Sequence, residues 1–112
     1  MSIKNERISD ALIEEISYII ANKVKNSHVN FVTITEVKVS SDLSHAKVYF
    51  TVLDDTKINE TLKGLKESSG FIRHELRNRV DIRQIPELTF IYDESISEAK
   101  KIEDIIEKIH GN

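Results

Sequence analysis

The chain has 112 residues and a formal net charge of −3 at pH 7, with no cysteine. The length favours one domain, residues 1–112, with a single modest core. The lack of cysteine excludes a disulfide framework, a thiolate metal site and a cysteine nucleophile. No apolar run approaches the roughly 20 residues of a membrane span, and the first residues are polar and mixed in charge. We therefore expect a soluble, cytoplasmic protein.

The first half of the chain predicts a helix followed by a β-hairpin. Apolar residues at helical spacing predict a helix from about Asn5 to Lys25. The segment from Val32 to Ser40 is rich in β-branched residues, which predicts a strand, and its apolar phase changes near Thr35, which indicates either a bulge or a strand with both faces partly buried. Turn residues at 41–44 and alternation from Ala46 to Val52 then predict the second strand of an antiparallel pair.

The second half predicts a bent helix pair, a strand and a last helix. Residues Asp54 to Thr56 are expected to cap a helix whose apolar stripe starts at Ile58. The stripe passes through Ser68-Ser69-Gly70, where small residues predict a bend that divides two helices and exposes unpaired N–H groups. Alternation over Leu88 to Tyr92 predicts a third strand, and the Ser95/Glu98 spacing predicts a helix to about His110.

These elements predict an α+β fold. Their order is helix, two strands, two helices joined at a bend, strand and helix. A helical crossover separates the second and third strands, so we expect those two to lie parallel. The result is a three-stranded mixed sheet with helices packed on one face.

Charge is distributed unevenly along the chain. The segment 69–84 contains Arg73, Arg77, Arg79 and Arg83 against only two acidic residues. A polyanion responds to the local field of one face rather than to the net charge, so this segment favours nucleic-acid binding. Arginines on a solvated helix face would give the same pattern, and the charge alone leaves both interpretations open.

Three segments carry a resemblance to a known family. The segment 39–50 is similar to a hairpin signature of Ser-x-Asp-Leu, a small residue and Lys-Val-Tyr. The segment 68–73 is similar to an Ala-x-Gly bend, and 83–93 reads Arg-x-x-Pro-Glu-Leu-x-Phe-x-x-Asp. Together they resemble the bacterial ribosome-binding factor A proteins, whose fold is the type II KH arrangement. Ser68 stands where the family usually has Ala, and Ala99 where Gly is common.

The resemblance implies a non-catalytic assembly factor. By default we expect a monomer, and we expect no cofactor or metal. Such proteins bind the small (30S) ribosomal subunit and its 16S rRNA during late maturation and rRNA processing, and are associated with growth in the cold. The RNA backbone would come close at Ser69 and Gly70. The expected phosphate contacts are Arg73, Arg77, Arg79 and Arg83. Secondary contacts would come from the hairpin and from the helix before the bend, at Lys38, Lys47, Lys63 and Lys66.

Two other function classes compete with RNA binding. The four histidines are scattered without metal-site spacing, and acidic doublets at 54–55 and 93–94 fit helix starts, so an enzyme is disfavoured. A protein-interaction module that uses the acidic last helix or the sheet edge remains an alternative. Salt discriminates between the two classes, because phosphate contacts weaken with log salt whereas apolar burial depends on salt far less.

Overall fold

The computed structural model describes residues 3–95, with side chains from residue 6. Its elements are α1 (Ile3–Asn22), β1 (Val32–Val39), β2 (His45–Val52), α2 (Ile58–Arg77) and β3 (Glu87–Tyr92). The predicted last helix falls on residues outside this range. Neither helix within residues 3–95 is long and apolar enough to cross a membrane.

The strands form a mixed sheet in the order β1-β2-β3, as predicted. β1 and β2 pair antiparallel, with Val32 opposite Val52, and the register shifts between Ile34 and Glu36. Of the two explanations for the change of apolar phase, the structure therefore shows the bulge. β2 and β3 pair parallel, because α2 carries the chain back across the sheet before β3 begins.

The hairpin turn is held by one carboxylate. Asp42 accepts hydrogen bonds from the hydroxyls of Ser40 (2.8 Å) and Ser44 (2.7 Å) and from the backbone N–H of Ser44 (3.0 Å). These bonds, chiefly that from the Ser44 hydroxyl, lower the pKa of Asp42 to about 2. They also hold Leu43 in the left-handed region, at φ 63°. The turn predicted from residue type is therefore fixed by side-chain hydrogen bonds.

The predicted division into two helices is wrong. One helix of 20 residues runs without interruption from Ile58 to Arg77, through Ser68, Ser69 and Gly70. Ser68 is buried beside the core, and Gly70 lies on the exposed side. Because no helix ends at this point, the unpaired backbone N–H groups expected there are absent from the described residues.

Both helices pack on one face of the sheet. Their buried residues meet the alternate inward side chains of the strands, among them Leu12, Ile16, Val48, Phe50, Leu65, Ile72 and Phe90. The other face of the sheet is left to Lys47, Tyr49 and Thr89, which alternate with the inward residues. The molecule thus has two outer surfaces on opposite sides, one formed by helices and one by strands.

A close contact joins α2 to the loop that follows α1. Gly64 is buried, and a Cβ added there would lie 2.8 Å from Val29 Cγ2 and 3.0 Å from His28 Cβ. Those distances are shorter than van der Waals contact, so only glycine allows the two segments to approach this closely. This close-packing glycine was not identified from the sequence.

Candidate nucleic-acid interface

Cations line the outer side of α2. The helix buries Thr61, Leu65 and Ile72, so residues on the opposite side of its circumference face away from the sheet. That side carries Lys63, Lys66, Arg73 and Arg77, with Gly70 between them. We call these five residues the α2 basic face. At 1.5 Å per residue it extends roughly 21 Å along the helix.

An arginine cleft lies at the C-terminal end of this face. Arg73, Arg77 and Arg83 line a depression of about 340 Å³ together with Ile82, Gln84 and Ile85. Within the described part of the chain, neither Arg77 nor Arg83 makes an intramolecular hydrogen bond or ion pair. Their planar guanidinium groups are therefore available for an oxyanion, which they can bind through two parallel N–H donors.

Arg73 supports the cleft from within the protein. It is half-buried, and its Nε and Nη2 atoms donate to the carbonyl oxygens of Pro86 and Ile85, each at 3.1 Å. These bonds tie α2 to the segment that leads into β3 and so hold Arg83 near Arg77. A guanidinium has five N–H donors, so Arg73 retains three for a ligand.

Arg79 lies apart from the cleft, against α1. Its Nε donates to Glu15 Oε2 at 2.5 Å, and its Cζ lies 4.2 Å from the centroid of the Tyr18 ring. The bond to Glu15 is the main reason why the pKa of Arg79 is raised. With its charge matched by a carboxylate and its plane over an aromatic ring, Arg79 joins α1 to the end of α2.

Ser69 and Gly70 are placed in the middle of α2 rather than at a break. The Ser69 hydroxyl donates to Lys66 O at 3.0 Å. A Cβ added at Gly70 would meet nothing within 4 Å, so Gly70 opens to the outside of the molecule instead of accommodating another segment. An external backbone could approach the helix closely here, although not through the free N–H groups that the sequence suggested.

Lys38 and Lys47 lie on the opposite side of the molecule. They are directly paired between β1 and β2 and exposed on the outer face of the sheet, where Lys38 Nζ lies 5.4 Å from the Tyr49 ring centroid. The α2 basic face lies beyond the helix layer. The candidate cations therefore do not form one surface: the α2 face with its cleft, the Arg79 cluster and the strand face are separate.

A scan against protein families identifies the chain. The model for ribosome-binding factor A matches residues 4–106. The chain belongs to the ribosome-binding factor A family. It is 48% identical to ribosome-binding factor A of Staphylococcus epidermidis, over 99% of this chain and 97% of that protein. It is 49% identical to the Macrococcus caseolyticus protein, over 98% and 97%.

Solved structures agree with the fold. The crystal structure of ribosome-binding factor A from Thermus thermophilus matches with a TM-score of 0.72 at 20% identity, over 79% of this chain and 94% of that one. A homology model of the Thermus thermophilus protein, fitted into a cryo-EM map of its complex with 30S, matches with a TM-score of 0.62 at 22% identity, over 85% and 97%. These likenesses confirm the α+β fold, while the type II KH description stays a prediction.

No metal centre competes with this interface in the described residues. Within residues 6–95, no group of three or more His, Asp or Glu side chains could hold an ion. The names of the relatives describe a binding factor and no reaction. The arrangement of the arginine cleft is suited to binding an anion.

Proposed function

We propose that the chain binds the small (30S) ribosomal subunit through 16S rRNA, as a non-catalytic assembly factor in late maturation and rRNA processing. Family membership supports this, as does the 30S complex of the Thermus thermophilus protein. The observation that carries the proposal is the α2 basic face, which ends in a cleft of arginines. It acts as a monomer in the cytoplasm, and its contribution to growth is greatest in the cold.

Phosphates of folded rRNA are bound along the α2 basic face. Arg77 and Arg83 each present a fork of donors to the cleft, and Lys63 and Lys66 add point charges farther along the helix. Gly70 leaves the helix surface open between these cations. Such contacts recognise the path of the backbone rather than base edges, so the protein reads the shape of its RNA site.

The acidic net charge is compatible with this mode of binding. At physiological salt the Debye length is about 8 Å, so carboxylates more than that distance from the cleft are largely screened from a phosphate inside it. Glu15, an acidic residue of α1, is paired with Arg79. The field that a phosphate meets is set by the residues around the cleft. On the sheet, Lys38 and Lys47 form a second surface that could contact RNA only from another direction.

Co-sedimentation tests this function. Purified protein is mixed with free 30S subunits, 50S subunits or 70S ribosomes over a salt series. We expect selective binding to free 30S subunits, with log affinity falling linearly with log salt at a slope of about −0.7 to −0.9 per phosphate contact. Absence of 30S binding at low salt would contradict the proposal. Binding to 30S that is insensitive to salt would contradict the phosphate mechanism and favour a protein-interaction module.

A further inference from the structure

An apolar patch projects from the open end of the hairpin. Phe31 and Leu53 are each 79% exposed, more than any other large apolar side chain of the described residues. They directly flank the last pair of the hairpin, Val32 opposite Val52, so they lie side by side. We call them the Phe31–Leu53 patch. A paired, exposed aromatic and aliphatic group of this kind is a feature of interaction sites.

The protein holds Phe31 outward at a conformational cost. Its backbone has φ 53°, in the left-handed region that a bulky side chain rarely adopts. The preceding loop is fixed by three hydrogen bonds: Asn30 Nδ2 to Ser27 O (2.6 Å), His28 N to Asn26 Oδ1 (2.9 Å) and Val29 N to Asn26 O (3.0 Å). An exposed aromatic ring on a strained backbone contributes little to the stability of the fold. Binding of a ligand therefore explains the outward position of Phe31 better than folding does.

A cavity of about 410 Å³ lies beside the patch. Its walls include Phe31 and Leu53, and its floor includes Val52 and Thr61, which are both buried. The cavity is large enough for one apolar side chain of a partner. Because its walls come from the end of the sheet and the start of α2, the site is preformed by the fold.

The rim of this cavity is acidic. Asp54 and Glu60 line it, and Asp55 lies next to Asp54 on the exposed turn before α2. The nearby lysine is already paired, because Lys57 Nζ lies 3.7 Å from Glu60 Oε2, and Asp54 and Asp55 make no ion pair within the described residues. An acidic rim repels RNA phosphates and attracts a cationic partner. The charge of the rim therefore favours a basic protein segment over a nucleic acid as the ligand of this cavity.

We propose that the Phe31–Leu53 patch binds a lysine- and arginine-rich segment of a small-subunit ribosomal protein. One apolar side chain of that segment enters the cavity between Phe31 and Leu53, and the cations of the segment lie beside Asp54 and Asp55. The identity of the partner rests on the proposed function. The site is at the N-terminal end of α2, and Arg77 is roughly 25 Å away along the helix, so rRNA and protein are bound at opposite ends.

Comparing how the protein binds to intact 30S subunits and to protein-free 16S rRNA distinguishes a protein contact from an RNA contact. The double variant Phe31→Gly/Leu53→Ser is compared with wild type on intact 30S subunits and on protein-free 16S rRNA. Glycine accepts the left-handed backbone, so the fold is retained, and thermal melting verifies this. We expect a loss of roughly tenfold or more on 30S and none on protein-free rRNA. The matched control Phe71→Ala, which truncates an exposed aromatic elsewhere, should bind both like wild type.

Two results of this comparison would overturn the proposal. An equal loss on 30S and on protein-free rRNA would mean that Phe31 stacks on a base. Unchanged binding to both would mean that the patch is not a contact. Charge gives an independent comparison: Asp55→Lys should weaken 30S binding several-fold, whereas the same change on α1, Asp10→Lys, should not.

A crosslinking experiment tests the patch independently of 30S binding. The chain has no cysteine, so Ser27→Cys, at an exposed position in the lining of the same cavity but outside the patch, carries a single benzophenone label. It is irradiated with the extracted proteins of the small subunit, free of rRNA, and the attachment site is sequenced. A crosslink to a lysine- and arginine-rich segment, abolished by Asp55→Lys, supports the proposal even if wild type fails to sediment with 30S. A crosslink to a second copy, or none, would overturn it.

Discussion

Replacing Arg77 and Arg83 with glutamine removes two proposed phosphate contacts and tests the arginine cleft. Both side chains are exposed, and neither has an intramolecular partner in the described part of the chain. Surface substitutions of this kind change stability by no more than about 0.5 kcal/mol. Glutamine keeps much of the length and polarity of arginine, so the charge is the main property that is lost.

The magnitude follows from counterion release. Each phosphate contact contributes about 0.7–0.9 to the slope of log affinity against log salt, so the double variant should lower the slope by about 1.4–1.8. At about 0.1 M salt the same term corresponds to roughly 5- to 8-fold in affinity per contact, or about 25- to 60-fold for the pair. The assay is co-sedimentation with free 30S subunits at several salt concentrations.

Arg79→Gln is the matched control for this experiment. It removes one positive charge from the same segment, half of what the double variant removes, but Arg79 is paired with Glu15 and packed over Tyr18. We expect a lower melting temperature and an unchanged salt slope. If Arg79→Gln lowered the slope by about 0.7–0.9, the amount expected of one phosphate contact, or if the Arg77/Arg83 double variant kept the wild-type slope, the separation of the arginines drawn from the structure would be refuted.

Four further predictions concern the scaffold. Gly70→Ala should raise the free energy of unfolding by about 0.5–1 kcal/mol, since its Cβ meets nothing, and should weaken 30S binding if RNA approaches there. Gly64→Ala should lower the free energy of unfolding by about 1 kcal/mol, because the added Cβ would lie 2.8 Å from the Val29 side chain. Urea unfolding of the Gly70 and Gly64 variants measures the contrast. Phe31→Gly should raise stability by about 0.5–1 kcal/mol by relieving the left-handed backbone, and a lower melting temperature would contradict the strain. The NMR titration of Asp42 should have its midpoint at about 2 rather than 3.8, and Ser44→Ala should raise it. Because the folded pKa is the lower one, the stabilisation by this carboxylate is complete above about pH 4 and is lost as the pH falls through 2; an unshifted midpoint in wild type would contradict the turn geometry.

Periodicity predicted the sheet well but the middle of α2 poorly. β-Branched residues indicated the first strand and alternating apolar residues the other two, and a change of phase suggested, as one of two explanations, the bulge between Ile34 and Glu36. The small residues in α2 suggested a break because intrinsic propensity disfavours glycine in a helix by about 1 kcal/mol. The burial of Leu65, Ile72 and Leu76 stabilises the helix on both sides of Gly70 and outweighs that preference.

Residue type located the cations but not their partners. Arg73, Arg77, Arg79 and Arg83 are equivalent in the sequence, yet two of them are engaged in the fold. The carbonyl groups that Arg73 binds and the carboxylate that Arg79 binds come from other elements, with Glu15 located on α1. No local spacing encodes such contacts. For the same reason, the close packing of Gly64 could be recognised only in three dimensions.

Directed hydroxyl-radical probing tests the central claim most directly. A single cysteine at His74→Cys, exposed on α2 close to Gly70 and Arg77, carries a tethered iron chelate, and Thr89→Cys places the same probe on the outer face of the sheet. Each labelled protein is bound to free 30S subunits, and 16S rRNA is mapped for cleavage. We expect strong, localised cleavage from His74→Cys and weaker cleavage from Thr89→Cys. Cleavage from the sheet position alone, with none from α2, would contradict the central claim.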